Sequence, residues 1–316
     1  MKIRPFTPAD TASVIALWNA CLPVDALNAE QFNRRVVCDV NFDASLFLLA
    51  EAENEAEEGT LTGFAYGAKR RAPDELSGLQ PENGWLVAMG VLPDARTKGV
   101  GDALLTALEQ ALFARGVKTI DVGIYPCNYI CPGVDVEAYA DGLAFLTKRG
   151  YAARGDNCSM DINLRGYETP ARYVEKKAKL LASGYTFEAY NYDDTLPILD
   201  FLRKDFPWWL NDVRGAIIAG RAEKTLIVAK TGGEIVGFVM RAFDGSEERF
   251  GPFGVSPTQQ GTGLGGVLFH EMMNQLVQNR IFYTWFLWTN GRNLDIYGTW
   301  GMKIYRTYTM LQKKGA

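Results

Sequence analysis

The stretch "FGVSPTQQGTGLGG", residues 253–266, decides how the rest of the chain is interpreted. Gly261, Gly263 and Gly266 fit the G-x-G-x-x-G pattern that places a dinucleotide's phosphates at the start of a helix. The pattern alone is a weak signal, since a tight turn from a strand into a helix also favours glycines. What the loop binds therefore depends on its context in the sequence.

The same pattern occurs earlier in the chain and identifies an internal repeat. The segment "MGVLPDARTKGVGDALLTALEQAL" at 89–112 aligns with "FGVSPTQQGTGLGGVLFHEMMNQL" at 253–276. Both read G-V-x-P-x-x-[R/Q]-x-x-G-x-G, followed by apolar residues at helical spacing. Three more pairs of segments match in the same order, namely 3–18 with 187–202, 61–67 with 235–241, and 145–151 with 296–302. The chain is therefore predicted to contain two copies of one domain.

The repeat weakens the nucleotide interpretations of the loop. Thr97 and Asp102 stand in the first copy where the second has Gly261 and Gly266, so the three-glycine fingerprint is not shared. The strand that follows in the second copy ends at Asn290 rather than at the acidic residue that binds a ribose. The G-K-[ST] of a P-loop is also missing after these glycines. An NAD-dependent enzyme built on this loop stays open as an alternative.

The motif that both copies keep resembles the signature of the GNAT family, the acetyl-CoA-dependent N-acyltransferases. That signature is [R/Q]-x-x-G-x-[G/A] with Val-x-Pro just upstream, and the resemblance covers nearly the whole chain. It implies an α/β (α+β) protein of two tandem GNAT-like domains, each a mixed, mostly antiparallel sheet with helices on both faces. We expect the first domain at 1–163, a linking helix at 164–184 and the second domain at 185–316.

The resemblance implies acetyl-CoA as co-substrate, with a binding site at each loop. The free N–H groups at the start of each helix suit a diphosphate, because the helix dipole favours an anion there. The strand before each loop is expected to splay from its neighbour and bind the pantetheine arm. The implied residues are Phe253, Val255, Gln260, Gly261, Thr262, Gly263, Leu264, Gly265 and Asn290 in the second copy, and Met89, Val91, Arg96, Lys98, Gly99, Val100 and Gly101 in the first.

A tyrosine in the second copy is the candidate general acid. In "NLDIYGTWGM", Tyr297 stands four residues before Gly301, where GNAT domains place the tyrosine that protonates the leaving thiolate. Leu146 has this position in the first copy and carries no proton to give, so the first copy is predicted to be catalytically degenerate. Tyr129 and Tyr139 are possible substitutes there, although their spacing does not support the role.

Other residues leave both a functional and a structural interpretation open. Glu247 and Glu248 precede the splayed strand, where family members often place a base, and they also suit a solvated turn. Trp208 and Trp209 either line an acceptor pocket or pack between helices. His270, within the helix after the second loop, is expected to be packed or exposed rather than catalytic.

Composition narrows the functional class. A net charge of −4 argues against a nucleic-acid partner, and no apolar run is long enough for a membrane span. Five cysteines without an apolar signal segment indicate reduced thiols and a cytoplasmic protein. Cysteine and histidine spacing does not supply the four ligands of a structural zinc site, so no metal is expected.

The sequence therefore predicts an acyltransferase that moves an acetyl group from acetyl-CoA to the amine of a small molecule, with the second copy catalytic. The alternative is a non-catalytic acyl-CoA-binding or sensing protein. The sequence leaves the acceptor's identity and the oligomeric state open.

Overall fold

The computed structural model describes residues 1–52, 59–73, 75–126 and 130–315. The strands are β1 Lys2–Pro5, β2 Phe47–Glu51, β3 Leu61–Lys69, β4 Asn83–Val91, β5 Thr119–Val122, β6 Val134–Asp135, β7 Ala152–Asn163, β8 Tyr185–Ala189, β9 Leu226–Thr231, β10 Glu234–Arg241, β11 Phe250–Val255, β12 Tyr283–Thr289 and β13 Lys303–Lys314. The α-helices are α1 Thr11–Cys21, α2 Ala29–Phe32, α3 Val100–Phe113, α4 Ala140–Lys148, α5 Ala171–Ala182, α6 Thr195–Asp205, α7 Leu210–Ile218, α8 Ala222–Thr225, α9 Leu264–Gln278 and α10 Arg292–Thr299.

The chain divides into two compact units. Unit 1 comprises Met1–Asn157 and Arg306–Ala316, and unit 2 comprises Cys158–Tyr305. These limits differ from the predicted domains at 1–163 and 185–316, because the C-terminal strand belongs to the first unit. The predicted linking segment, 164–184, contains α5 and lies within unit 2.

The sheet of unit 1 places β13 between β5 and β7, in the order β1-β2-β3-β4-β5-β13-β7. Its neighbours pair antiparallel from β1 to β4, and β4 and β5 are parallel. The antiparallel pairing of β13 with β5 runs from Leu311 opposite Val122 to Lys314 opposite Thr119. The sheet is therefore mixed and mostly antiparallel, as the sequence predicts.

Unit 2 repeats this plan with a strand from the end of the first repeat. Its antiparallel sheet has the order β11-β10-β9-β8, and β12 pairs with the C-terminal part of β7, Phe286 lying opposite Met160. The last strands of the two repeats, β7 and β13, are exchanged, since β13 pairs with β5 of the first repeat and β7 pairs with β12 of the second. This exchange explains why the compact units do not coincide with the sequence repeats.

Helices cover both faces of the sheet in each unit. In unit 1, α3 buries Leu104, Leu105 and Leu108 on one face, and Trp18 of α1 joins an aromatic core on the other. In unit 2, α9 packs in one core, and α6 and α7 pack in another. Each fully buried leucine stabilises its unit by about 1.5–3 kcal/mol relative to an exposed one. The predicted arrangement of helices is confirmed.

An ion-pair network fixes β13 in unit 1. The Arg306 guanidinium donates to both carboxylate oxygens of Asp25 at 2.8 Å and to Asp135 Oδ2 at 2.6 Å. The Tyr139 hydroxyl donates to Asp25 Oδ2 at 2.7 Å. The three charged side chains are only 16%, 8% and 5% exposed, so their interaction is weakly screened by water.

We predict that Arg306→Met lowers the free energy of unfolding by about 3–5 kcal/mol, because it leaves two buried carboxylates without their cation. Urea unfolding of the full chain measures this change. Lys303→Met, at an exposed position on the same strand, is the matched control and is expected to be near neutral. Equal stability of the two variants would show that the network does not hold the strand.

Candidate active site

Both glycine-rich loops fold in the same way. Each Val-x-Pro leads into a short 3₁₀ turn, Pro93–Ala95 in unit 1 and Pro257–Gln259 in unit 2. Gly99 and Gly263 then occupy the N-cap positions of α3 and α9 with φ of 83° and 87°. A side chain is strained in this left-handed region, so the backbone itself requires glycine at both positions.

The strand before each loop separates from its neighbour as predicted for a GNAT-like domain. In unit 1, β4 pairs with β5 only from Asn83 to Leu86, which leaves Met89 and Val91 beyond the paired part. In unit 2, a single bridge joins Arg249 to Trp285, so Phe253 and Val255 likewise lie beyond the last pairing. The described residues thus form a wedge-shaped gap beside each loop.

The loop of unit 1 is open at its surface. Arg96, Lys98 and Gly99 are exposed, and Val100 is buried at the start of α3. A Cβ built at Gly99 meets no atom within 4 Å, so the turn leaves room for a ligand. The Arg96 side chain folds back and donates from Nε to the Val91 carbonyl at 3.2 Å.

The loop of unit 2 is partly covered by α5. Thr262 and Gly263 are half-buried, whereas Gln260 and Gly261 are exposed. A Cβ at Gly263 would lie 3.0 Å from Cδ and Cε of Lys176. The sequence did not predict this difference between the two loops.

The helix starts of the two loops also differ in packing. Gly101 of unit 1 lies against the Phe145 ring, since its Cβ would be 3.5 Å away. In unit 2, Gly265 lies beside Phe253 and Trp300, and Leu264 is buried.

Tyr297 lies on α10 within an aromatic cluster. Its ring centroid is 4.7 Å from that of Phe286 and 5.5 Å from that of Trp300. Burial raises the pKa of its hydroxyl above the ordinary tyrosine value, so the group keeps its proton at neutral pH. Among the described residues the hydroxyl has no hydrogen-bond partner. This side chain can donate a proton to a group placed in the gap between β11 and β12.

In unit 1, Tyr125 and Ile130, which lie between β5 and α4, pack in the core. Tyr125 is 2% exposed and packs on Trp85 with 5.4 Å between ring centroids, and Val87 at the β4 bulge packs against this pair. Ile130 is 4% exposed and joins the aromatic core. Leu146 is also buried, so the position equivalent to Tyr297 offers only apolar surface.

The other candidates differ in their surroundings. Tyr139 donates to Asp25, while Tyr129 lies outside the described residues. The Glu247 carboxylate accepts a 2.5 Å hydrogen bond from Arg241, and Glu248 uses its backbone carbonyl to accept from Thr284.

Three other candidates of unit 2, Trp208, Trp209 and Asn290, differ in how far they are exposed. Trp209 stacks on Phe206 with 5.4 Å between ring centroids, whereas Trp208 is 58% exposed. Trp209 is therefore a packing residue, and Trp208 lies at the surface. Asn290 is exposed between β12 and α10, where its carbonyl accepts from the Asn293 N–H.

A carboxylate that the sequence did not single out also lies in unit 2. Burial raises the pKa of Asp212 on α7 to about 6, against the opposing effect of Arg249, and nearby Asp244 adds to the rise. Arg249 pairs with Asp244 at 2.6 Å and forms the last bridge before β11 separates from β12. On the surface of a short helix, an aspartate gives no sequence signal that distinguishes it from a solvated residue.

His270 is packed, as expected, and is 1% exposed. Its Nδ1 bonds to the Tyr167 hydroxyl, and the Tyr173 ring lies 4.2 Å from the imidazole ring. Burial lowers the pKa of His270 to about 4, and the charge of Arg172 contributes. The imidazole is therefore neutral at pH 7.

The described residues contain no group of three or more His, Cys, Asp or Glu side chains that could hold a metal ion. Nor does any helix in the described ranges have the length and apolar character needed to cross a membrane.

Because the chain has one histidine, its effect on stability can be isolated. Between about pH 4 and 6.5, unfolding lets His270 bind a proton that the folded chain excludes, so this residue makes stability rise with pH. Asp212 is protonated in the folded chain up to about pH 6, so it makes stability fall with pH over much of that window. Each contribution amounts to about 2–3 kcal/mol across its window.

We predict that substituting His270 and substituting Asp212 change the pH dependence of the free energy of unfolding in opposite directions. Compared with the unsubstituted chain, His270→Gln makes the free energy of unfolding fall more steeply, or rise less, from pH 4.5 to 6. Asp212→Asn makes it rise more steeply, or fall less, over the same range. Urea unfolding at several pH values measures both slopes. Parallel profiles for the three proteins would contradict these pKa shifts.

The comparisons with known proteins agree with this geometry. The profile of the acetyltransferase (GNAT) family matches residues 12–130 and 190–300. The fold resembles that of the GCN5-related glucosamine N-acetyltransferase region of a fungal multi-domain GH3 β-N-acetylglucosaminidase, with a TM-score of 0.81, 20% identity and coverage of 99% of this chain. This chain spans 38% of the length of that fungal protein.

Two other solved structures have a similar fold over their full length. A GCN5-related N-acetyltransferase from Sphaerobacter thermophilus gives a TM-score of 0.69 at 18% identity, with coverage of 99% of this chain and 95% of the other. A tandem GNAT protein from the clavulanic acid biosynthesis pathway gives 0.65 at 11% identity, with coverage of 100% and 99%. Since the family profile matches both repeats and most of the chain, this protein belongs to the acetyltransferase (GNAT) family.

Proposed function

We propose that the second repeat transfers an acetyl group from acetyl-CoA to the amine of a small molecule, with Tyr297 as general acid. The observation that carries this proposal is the contrast between the repeats. In unit 2 the protonated Tyr297 phenol packs against Phe286 of β12, whereas the equivalent residue of unit 1 is the buried Leu146, which has no proton to give. The first repeat, in this proposal, binds acetyl-CoA without turning it over.

The residues of both loops fit the diphosphate of acetyl-CoA. Glycine at each N-cap position gives the first turns of α3 and α9 no capping oxygen, and among the described residues only the Leu264 N–H of the α9 first turn donates to a side chain, Thr262 Oγ1 at 3.3 Å. These donors and the helix dipole suit an anion. Met89 and Val91, or Phe253 and Val255, present an unpaired strand edge to the pantetheine arm. Gln260 and Thr262 in unit 2, and Arg96 and Lys98 in unit 1, flank the diphosphate site.

When bound, acetyl-CoA supplies an acetyl thioester. One residue of the chain accepts a proton and another donates one. We assign Asp212 to accept the proton of the acceptor's ammonium group, because the charge of Arg249, which forms the last bridge before β11 separates from β12, acts on this carboxylate, whose pKa is about 6. The neutral amine then attacks the carbonyl carbon. Tyr297 gives its proton to the departing sulfur, so the carbon–sulfur bond breaks as the amide bond forms, and the second proton that the nitrogen loses restores the phenol of Tyr297.

The acceptor class is part of the proposal. The fungal region whose fold this chain shares is described as a glucosamine N-acetyltransferase, and glucosamine is a small amine. We therefore propose small amines, amino sugars among them, as the first acceptors to assay.

We predict that Tyr297→Phe lowers kcat by about 10²–10⁴-fold and leaves acetyl-CoA affinity unchanged, because it removes only the proton donor. Thiol release with a panel of small amines measures turnover, and calorimetric titration measures binding. Tyr192→Phe is the control, since Tyr192 is 63% exposed. Binding without turnover in the unsubstituted chain would favour the non-catalytic acyl-CoA-binding alternative, and full activity of Tyr297→Phe would remove that residue from the mechanism.

A carboxylate introduced into each loop in turn tests which repeat catalyses the transfer. We expect Gly263→Glu to abolish turnover and Gly99→Glu to preserve it, because each carboxylate repels the diphosphate of its own loop. Gly263→Gln and Gly99→Gln share the backbone strain without the charge and serve as matched controls. Loss of turnover with Gly99→Glu alone would assign catalysis to the first repeat.

A further inference from the structure

Helix α5 is more than a connection between the repeats, because it packs on the start of α9. The Tyr173 ring lies against Gly266, where a Cβ would be 2.3 Å from its Cε1 atom. The Arg172 guanidinium donates to the Thr299 carbonyl at 2.8 Å, which ties α5 to the end of α10. The helix therefore has a fixed position over the loop of unit 2.

This packing accounts for the glycine that first suggested a dinucleotide site. Gly266 has no counterpart in unit 1, where Asp102 occupies the same position and pairs with Arg149. Glycine is needed in unit 2 because the Tyr173 ring fills the space of a side chain. The third glycine of the motif thus follows from the seating of α5.

Lys176 is the residue of α5 that reaches the loop. Its Cγ, Cδ and Cε atoms all lie 3.0–3.1 Å from the Cβ position of Gly263, and its ammonium nitrogen is one bond, about 1.5 Å, further on. Among the described residues, this ammonium forms no hydrogen bond or ion pair. The next lysine, Lys177, instead pairs with Glu271 at 2.7 Å.

The two loops differ in their charged side chains, and this difference suggests what Lys176 does. Unit 1 carries Arg96 and Lys98 on its loop, whereas unit 2 has Gln260 and Thr262 at the equivalent places. The loop of unit 2 therefore lacks a cation of its own, and an unpaired lysine from α5 lies against it. A lysine ammonium adds to the backbone N–H groups a charge-assisted contact with a phosphate, which is stronger than a neutral one.

We propose that Lys176 binds the diphosphate of acetyl-CoA in the second repeat, supplying from α5 the charge that the loop lacks. This inference rests on the proposed function, since it assigns a ligand to the loop of unit 2. The alkyl chain of Lys176 covers Gly263, and its flexible ammonium end turns toward the phosphates. Helix α5 is then one wall of the acetyl-CoA site rather than a linker.

The test compares acetyl-CoA with an acyl donor that lacks its entire 3′-phospho-ADP portion, the diphosphate included. Calorimetry measures binding of acetyl-CoA and of S-acetylpantetheine, which has no phosphate, to the full chain carrying Gly99→Glu. That substitution confines acetyl-CoA binding to the second loop. Lys176→Met is compared in this background with Lys179→Met, which removes an exposed lysine from the same helix.

We expect Lys176→Met to weaken acetyl-CoA binding by about tenfold or more and to leave S-acetylpantetheine binding unchanged, because one charge-assisted contact is lost. Lys179→Met is expected to change neither. Unchanged acetyl-CoA binding, or equal losses for both donors, would overturn the assignment. Tighter acetyl-CoA binding by Lys176→Met would also overturn it and would show that the side chain blocks the loop.

These outcomes are distinct from failure of the proposed function. If the unsubstituted chain binds no acetyl-CoA, both proposals fall. If it binds and turns over acetyl-CoA while Lys176→Met behaves as Lys179→Met does, only the role of Lys176 falls.

Discussion

A left-handed residue at the start of a long helix is the constraint on which both sites depend. Gly99 and Gly263 reach φ of 83° and 87° at the N-caps of α3 and α9. A serine or aspartate at an N-cap accepts a hydrogen bond from the first turn and satisfies its donors internally. Glycine has no such oxygen, so apart from the Leu264 N–H, which donates to Thr262 Oγ1, these donors have no side-chain acceptor in the described part of the chain. In the proposed function, the diphosphate takes the place of the missing cap, and this links the fold of the loop to its chemistry.

Much of the fold could be predicted because the repeat is visible in short segments. Helices α1 and α6 begin at matching threonines, Thr11 and Thr195, and each loop keeps its Val-x-Pro. The exchange of β7 and β13 could not be predicted from the same signal. Either strand pairs equally well with β5 or β12 by backbone hydrogen bonds, which carry no side-chain signature. The choice depends on long-range contacts such as that of Arg306 with Asp25, which local pattern does not reveal.

The residues of the candidate site also differ in whether local sequence identifies them. The loop glycines and the place of Tyr297 are local features, and the sequence locates them by spacing. Asp212 and Lys176, the two residues that we add by proposal, lie on helices distant in sequence from the loop, so their positions depend on packing. The sequence did contain one indication that α5, the helix of Lys176, packs on the loop. Gly266 stands where the first copy has Asp102, and nothing within the loop requires this glycine. An unexplained glycine in a duplicated motif indicates that another element packs there.

The two repeats thus solve one electrostatic problem in different ways. In unit 1 the cations Arg96 and Lys98 are on the loop and exposed, so water and salt screen their attraction for a phosphate. In unit 2 the cation that we propose is Lys176 of α5, a half-buried residue against a loop without charged side chains, where a charge interacts more strongly with an anion. A cation carried by a separate helix approaches the ligand from the side on which that helix packs. Under the proposed function, an enclosed site of this kind suits a repeat that positions a thioester beside Tyr297, and an open one suits a repeat that binds without turnover.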